Sequence, residues 1–206
     1  MNSATRIQNS RQQLREQLKQ QRRALTEAEQ KSASLQLVDT AMQQPEVAQA
    51  ETIALYFSFA AELNTAPLLQ ALLDAGKKVC LPVLHPFAKG HLLMLRYDPQ
   101  RPLINNKFAI PEPPLRCPDV VPFAQLDTLL VPLVGFDSQG NRLGMGGGFY
   151  DRTLAGWHAG RYPQLKVMGL AHDCQQAGHI PVQSWDVPLP AVITATRCWR
   201  FRHSSL

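Results

Sequence analysis

Residues 52–84, TIALYFSFAAELNTAPLLQALLDAGKKVCLPVL, hold the most structural information in this chain. Residues 52–59 are rich in β-branched and aromatic side chains and predict a buried strand. Thr65 is placed to cap a helix, and Pro67 suits its first turn. Leu68, Leu69, Leu72 and Leu73 then carry it to Gly76, a natural C-terminal stop. Residues 78–84 predict the next strand. Strand, helix and strand at this spacing give a right-handed parallel crossover. In such sheets ligands gather beyond the carboxyl ends of the strands, where Glu62 and His85 fall. A lone His before Pro86 reads as structural. Glu62, just past a buried strand, can accept hydrogen bonds from a polar ligand.

Upstream, residues 10–25 predict a first helix. At about 100° per residue, Ile7, Leu14, Leu18 and Leu25 share one narrow apolar arc, and Arg11, Arg15, Lys19 and Arg22 lie on the arc beside it. Most helical charges are simply solvated. Arg11 and Arg15, one turn apart, repel unless an anion sits between them, which favours a role in a neighbouring cleft. Thr26 and Glu29 have the spacing of a capping box for a second helix, which Pro45 limits. Downstream, residues 91–97 predict a strand near a sheet edge. The proline-dense residues 101–122 predict extended loop, with Phe108 and Ile110 lining a pocket or pinning the loop. Residues 126–134, 165–171 and 191–196 predict further strands.

At 206 residues the chain suits one well-packed domain. A hydrophobic content of 45% with 18% charged residues fits a soluble globular protein. No run approaches the ~20 apolar residues of a membrane span, and the N-terminus lacks the apolar core of a signal peptide. A cytoplasmic location is expected. Cys80, Cys117, Cys174 and Cys198 form no C-x-x-C pair, which argues against a disulfide scaffold and a zinc site. The net charge of +5 suits an anionic ligand.

The chemistry concentrates in FDSQGNRLGMGGGFYDR, residues 136–152. It follows the apolar run 126–134, packs Gly144, Gly146, Gly147 and Gly148 together, and leads into a helix start. Glycines let backbone N–H groups approach a ligand closely, and a helix start adds unpaired donors and a positive dipole end. Strand, glycine loop and helix therefore form a cradle for phosphate oxygens. No Gly-Lys-Ser/Thr closes the loop, so it is not a Walker A motif, and Phe149 breaks a G-x-G-x-x-G pattern. Arg142, Tyr150, Asp151 and Arg152 crowd the loop with side chains an idle linker does not need. Asp151 and Asp186 are candidate magnesium carboxylates, an ion that takes one or two carboxylates plus phosphate oxygens. This inventory suits phosphoryl transfer, which needs positioning and charge neutralisation more than a nucleophile. Two rivals stay open on the residues alone. One is a sugar-phosphate-type α/β enzyme using the loop without ATP. The other is a nucleic-acid-binding protein using the basic helix, although it lacks aromatic interleaving and a recognised module.

The run G-F-D-x-x-G-N-R-L-G-x-G-G-G-F-Y-D-R resembles the signature of the 5-formyltetrahydrofolate cyclo-ligases, also called 5,10-methenyltetrahydrofolate synthetases. The likeness extends to LR-x-x-LK-x-x-RR-x-L-T in the first helix, to residues 58–62 with Thr65, and to residues 81–86, 110–113 and 185–190, in the expected order along nearly the whole chain. The resemblance implies a single three-layer α/β/α domain over residues 1–206, with a mainly parallel sheet, Rossmann-like but without a dinucleotide fingerprint. It also implies ATP- and Mg²⁺-dependent closure of a folate ring, acting on 5-formyltetrahydrofolate with or without a polyglutamate tail, as a monomer without nucleic acid or membrane.

Carried over by position, Arg11 and Arg15 match the basic pair on the ATP phosphates. Arg142, Leu143, Gly144, Met145, Gly146, Gly147, Gly148, Phe149 and Tyr150 match the nucleotide loop, of which Met145 to Phe149 also border the folate. Asp151 and Asp186 match the magnesium carboxylates, Glu62 the pterin acceptor, Phe57 an apolar wall beside it, and Phe108 an aromatic near the folate. Some relatives have a basic residue where Met145 stands and Lys where Gly147 stands. Those departures shift phosphate neutralisation onto Arg142, Arg15 and the backbone. Phe149 replaces a common Tyr, keeping the ring without its hydroxyl.

Overall fold

The computed structural model describes residues 3–201. Helices α1 (Ser3–Arg23), α2 (Glu27–Met42) and the short α3 (Pro45–Ala48) precede strand β1 (Thr52–Ala54), followed by α4 (Ala66–Asp74), β2 (Lys78–Leu84) and β3 (Leu92–Arg96). Short strands β4 (Ile104–Asn105), β5 (Pro111–Glu112) and β6 (Val120–Val121) lead to β7 (Thr128–Pro132). Then come a hairpin of β8 (Gly135–Phe136) and β9 (Arg142–Leu143), helix α5 (Phe149–His158), and strands β10 (Lys166–Leu170), β11 (Ala191–Ile193) and β12 (Cys198–Arg200).

An eight-stranded sheet in the order β12-β11-β10-β7-β1-β2-β3-β6 forms the centre. The run from β11 to β2 is parallel throughout. Antiparallel β12 extends one side, and antiparallel β3 and β6 extend the other. Side-chain alternation sorts the strands onto two faces. Ile53, Val79, Leu81, Leu130, Met168 and Ile193 pack with Leu37, Val47, Leu68 and Leu72 from α2, α3 and α4. Ala54, Cys80, Leu129, Val131, Val167 and Val192 pack on the other face with Leu154 of α5. The molecule is therefore the expected α/β fold with three layers and a mainly parallel sheet. Among the described residues no helix is long and apolar enough to cross a membrane.

The crossover from β1 through α4 to β2 matches expectation, and Gly76 takes the left-handed φ of 74° just past the helix end. The capping box of α2 is present: Glu29 N–H donates to Thr26 Oγ1 at 3.2 Å, and Thr26 N–H donates to Glu29 Oε2 at 2.7 Å. Thr65 occupies the N-cap of α4, but its hydroxyl donates instead to the Tyr56 carbonyl at 2.5 Å. The strand expected over residues 52–59 stops at Ala54, because the chain then turns Tyr56, Phe57 and Phe59 toward a cavity. Helix α1 begins earlier than the expected residue 10 and ends at Arg23. The strand expected over 91–97 is β3, one place in from the edge strand β6. Within residues 101–122 the paired β4 and β5 form a small hairpin.

Helix α1 crosses the hairpin β8–β9, where Leu18 packs with Val134, Leu143, Ala177 and Ile180. Its buried face carries Arg11, Leu18 and Arg22, not the apolar arc alone. The stripe of arginines is turned into the molecule.

Candidate active site

A cavity of about 450 Å³ opens at the carboxyl ends of β1, β2 and β7. Leu81, Pro82 and Leu84 of β2, Pro132 at the end of β7 and the residues Tyr56, Phe57 and Leu133 just past β1 and β7 form its base, joined by Leu92 of β3. The β4–β5 hairpin supplies Asn106, Phe108, Ile110, Pro111 and Glu112 as one wall. Opposite lie Arg142, Gly144, Met145, Gly147, Gly148, Phe149, Tyr150 and Asp151. Phe108 and Phe149 meet across the cavity edge-to-face, with ring centroids 6.0 Å apart, so the two walls touch through aromatic rings. The lining is mostly apolar with a few convergent polar groups, the usual make-up of a small-molecule site.

Glu62 enters this cavity from a tight turn after β1. Its N–H donates to the Phe59 carbonyl at 3.1 Å and its Oε2 accepts the Phe59 N–H at 3.0 Å. Burial pushes its carboxyl up to about 7, opposed by the Phe59 N–H and by the charge of Arg22. Burial also raises the phenols of Tyr56 and Tyr150, and the charge on Glu62 raises them further. Both stay neutral donors. A hydrogen-bonding ligand therefore meets one carboxylate and two hydroxyls set among aromatic and aliphatic walls.

The basic residues form a second cluster along α1 and the glycine loop. Arg11 pairs with Asp186 through two bonds, Nη1 to Oδ2 at 2.5 Å and Nη2 to Oδ1 at 2.9 Å, and also donates to the Pro181 carbonyl at 2.6 Å. Arg15 Nε donates to the Gly144 carbonyl at 2.8 Å and so holds the glycine loop against the helix. Arg142 is buried and bonded to Asp151, while its Nε has no hydrogen-bond partner among the described residues. Burial lowers the pKa of Arg142 from its ordinary value, and Asp151 and Asp186 pull it back. The same two carboxylates act on Arg15, whose pKa is lowered chiefly by burial and by Arg11. Asp151 and Asp186, far apart in sequence, thus converge on one set of guanidiniums.

Of the residues singled out from the sequence, Phe57, Glu62, Phe108, Arg142, Gly144, Met145, Gly147, Gly148, Phe149, Tyr150 and Asp151 line the cavity. Arg11, Arg15, Gly146 and Asp186 sit in the adjoining basic cluster, where a side-chain carbon at Gly146 would lie 4.0 Å from the Arg15 guanidinium. Leu143 is fully buried in the small core under α1 and does not line the cavity, and its carbonyl accepts the Val134 N–H at 2.7 Å. Gly148 begins α5 with a left-handed φ of 67°, a conformation that turns the glycine loop sharply into the helix. His85 is structural as expected, its Nδ1 accepting the N–H groups of Phe87 and Ala88.

Two arginines escaped assignment. Arg152 donates to the Gly147 carbonyl at 2.5 Å and to the Gly90 carbonyl at 2.9 Å, tying the glycine loop to the β2–β3 connection. Its place in the loop motif marks it, but nothing local names the partner at Gly90. Arg22 lies under the Glu62 turn, and its helical spacing from Arg11 and Arg15 was the available signal. Among the described residues no three His, Cys, Asp or Glu side chains gather as a metal nest. Asp151 and Asp186, which share the cluster and each pair with an arginine in this structure, are the oxygen donors present for a magnesium ion that takes its remaining oxygens from phosphate.

A family model described as the 5-formyltetrahydrofolate cyclo-ligase family matches residues 7–195. The 5-formyltetrahydrofolate cyclo-ligase of Escherichia coli (strain K12) is 48% identical over 184 residues, covering 89% of this chain and 100% of the relative. The enzyme of that name from Haemophilus influenzae is 48% identical over 179 residues, 87% of this chain and 94% of its own. The NMR structure of Aquifex aeolicus 5,10-methenyltetrahydrofolate synthetase superimposes with a TM-score of 0.79 at 26% identity, covering 95% of each chain.

Proposed function

This chain belongs to the 5-formyltetrahydrofolate cyclo-ligase family and is an enzyme with that family's 5,10-methenyltetrahydrofolate synthetase activity, and from this premise we propose an ATP-driven, Mg²⁺-dependent mechanism built on the two adjoining clusters. The folate occupies the apolar cavity, its pterin hydrogen-bonded to Glu62 and flanked by Phe57, with Phe108, Met145 and Phe149 beside it. The ATP phosphates lie along the loop from Arg142 to Tyr150, under Arg11 and Arg15. Asp151 and Asp186 would hold magnesium, which when bound neutralises phosphate charge. The single observation that carries this reading is the contact of the two clusters: Arg142 and Asp151 line the folate-sized cavity and also belong to the basic group.

The chemistry follows from the substrate. A formamide carbonyl is a poor electrophile, and ring closure must expel its oxygen. That oxygen attacks the γ-phosphorus of ATP, ADP leaves, and an iminium phosphate forms. N10 attacks the activated carbon and loses its proton. Phosphate departs with the former formyl oxygen, leaving 5,10-methenyltetrahydrofolate. Arg142, Arg15 and the backbone N–H groups of the glycine loop are preorganised for the charge that moves through the phosphates. The apolar walls exclude water that would otherwise take the phosphoryl group. All four cysteines are free thiols, which suits the reducing cytoplasm.

The test is the absorbance of methenyl product, followed with 5-formyltetrahydrofolate in the presence and absence of ATP and Mg²⁺. Product that requires all three supports the mechanism. Product formed at the same rate without ATP removes the phosphoryl step.

A further inference from the structure

The inward face of α1 carries a guanidinium for which this mechanism has no use. Arg22 is 1% exposed, deeper than Arg11 or Arg142. Its Nη2 donates to the Ala60 carbonyl at 2.6 Å, while its Nε and Nη1 are buried without a hydrogen-bond partner among the described residues. Ala60 and Ala61 both have left-handed backbones, with φ of 50° and 60°. Non-glycine residues take that conformation at a cost, so two in succession must be held by their surroundings. The next residue is Glu62, whose carboxylate and N–H close the same turn onto Phe59. Arg22 thus grips the strained middle of the turn that delivers Glu62 to the cavity.

We infer that Arg22 is a positioning residue for folate recognition, fixing the Phe59–Glu62 turn through the Ala60 carbonyl and setting a buried positive charge near the Glu62 carboxyl group that meets the pterin. The inference rests on the reading of Glu62 as the pterin acceptor. The groups around the pair support it. Tyr56, two residues past β1, and Tyr150, in α5, are neutral phenols that feel the Glu62 charge. His172 also feels Arg22 and is pushed down to about 4, by burial first and then by Arg22 itself, so it supplies no second cation. Cys174 also lies near Arg22 with its thiol raised, chiefly by burial, and stays neutral. Arg22 is the charge that opposes the burial of Glu62. Without it, the Glu62 carboxyl would keep its proton to a higher pH and more often be a donor on one oxygen where the pterin needs an acceptor.

The test is the pH profile of kcat/KM for 5-formyltetrahydrofolate at saturating ATP, from about pH 6 to about pH 9. The parent enzyme should rise through a midpoint near the Glu62 value. Arg22→Gln should move that midpoint up, raise the folate KM severalfold at neutral pH, and recover part of the loss in alkali. Arg22→Lys, which keeps a charge, should leave the midpoint near the parent's. If Arg22→Gln fails to fold, Arg22→Met removes the buried charge and its unpaired N–H groups together and is read the same way. Glu62→Gln should abolish the transition and raise the folate KM. If it leaves the folate KM unchanged, the acceptor reading falls and takes this inference with it. If Glu62→Gln raises the KM, but loss of Arg22 scales the profile equally at every pH, Arg22 is only structural and this inference falls alone.

Discussion

Glu62 and His172 both feel the charge of Arg22 and are displaced in opposite directions from their ordinary protonation behaviour. Glu62 is pushed up from 4.5 to about 7, so the folded chain keeps a proton that the unfolded chain has already released. Its contribution to stability is full below the unfolded value and is lost as pH rises through about 7. His172 is pushed down from 6.5 to about 4, so the unfolded chain takes up a proton first. Its contribution is full above 6.5 and is lost as pH falls through about 4. Each effect is at most on the order of 3 kcal/mol, and the two nearly cancel over the mildly acidic range. Denaturant unfolding of Glu62→Gln and His172→Asn against the parent should separate them. The first variant should gain relative stability as pH rises, and the second as pH falls. Flat difference curves for both would mean that neither group is displaced. None of this was legible in the sequence. Glu62 was marked by its place after a strand, but its displacement needs Arg22, Tyr56 and Tyr150, which only the fold brings to it.

Single elements were legible where their partners lie within a few residues. The α2 capping box and the stop at Gly76 are local devices, and both appear as the sequence implies. Thr65 sits at the N-cap of α4 as the sequence implies, but its hydroxyl finds a carbonyl across a turn, at Tyr56, and makes no capping bond. The hairpin β8–β9 was not visible, since each strand is two residues long and its turn is held by a side chain. Buried Asp137 accepts the N–H groups of Gln139 and Asn141, the Asn141 side-chain amide, and the N–H of Ile180 in a distant segment. Gly140 ends that turn with a φ of 79°, and a side-chain carbon there would meet the Leu189 carbonyl at 2.4 Å. Gly76 has a similar φ of 74° with nothing within 4 Å. Alanine at the two sites should therefore separate strain from collision. Gly76→Ala should cost about 1 kcal/mol from the left-handed backbone alone. Gly140→Ala should cost about 3 kcal/mol or more, because backbone must move. Equal losses in denaturant titrations would show that the hairpin yields and does not anchor the loop.

At the scale of the molecule, the apolar strands and the helical crossover were enough to imply the sheet, and the tendency of ligands to gather beyond the carboxyl ends of parallel strands pointed to the edge where the cavity opens. The pairing inside the site was hidden, because Arg11 with Asp186 and Arg142 with Asp151 join segments that no local pattern relates. That pairing has a consequence for binding. If Arg11 is to face phosphate, it must leave a carboxylate that holds it through two bonds and is itself fixed by the Gln183 N–H at 2.8 Å. ATP alone competes with Asp186 for the guanidinium. The carboxylate releases the arginine most readily when it has a cation of its own to hold, so ATP and Mg²⁺ should bind with positive coupling. Calorimetric titration without folate measures this, and we expect ATP affinity to rise about tenfold or more when Mg²⁺ is present. Asp186→Asn makes the sharper case. It frees Arg11, so ATP without metal should bind more tightly to the variant than to the parent, while the gain from Mg²⁺ shrinks. A variant that binds ATP more weakly by the same factor with and without Mg²⁺ would show that the ion pair is a fixed strut between α1 and the loop at Asp186, and that the phosphates lie elsewhere.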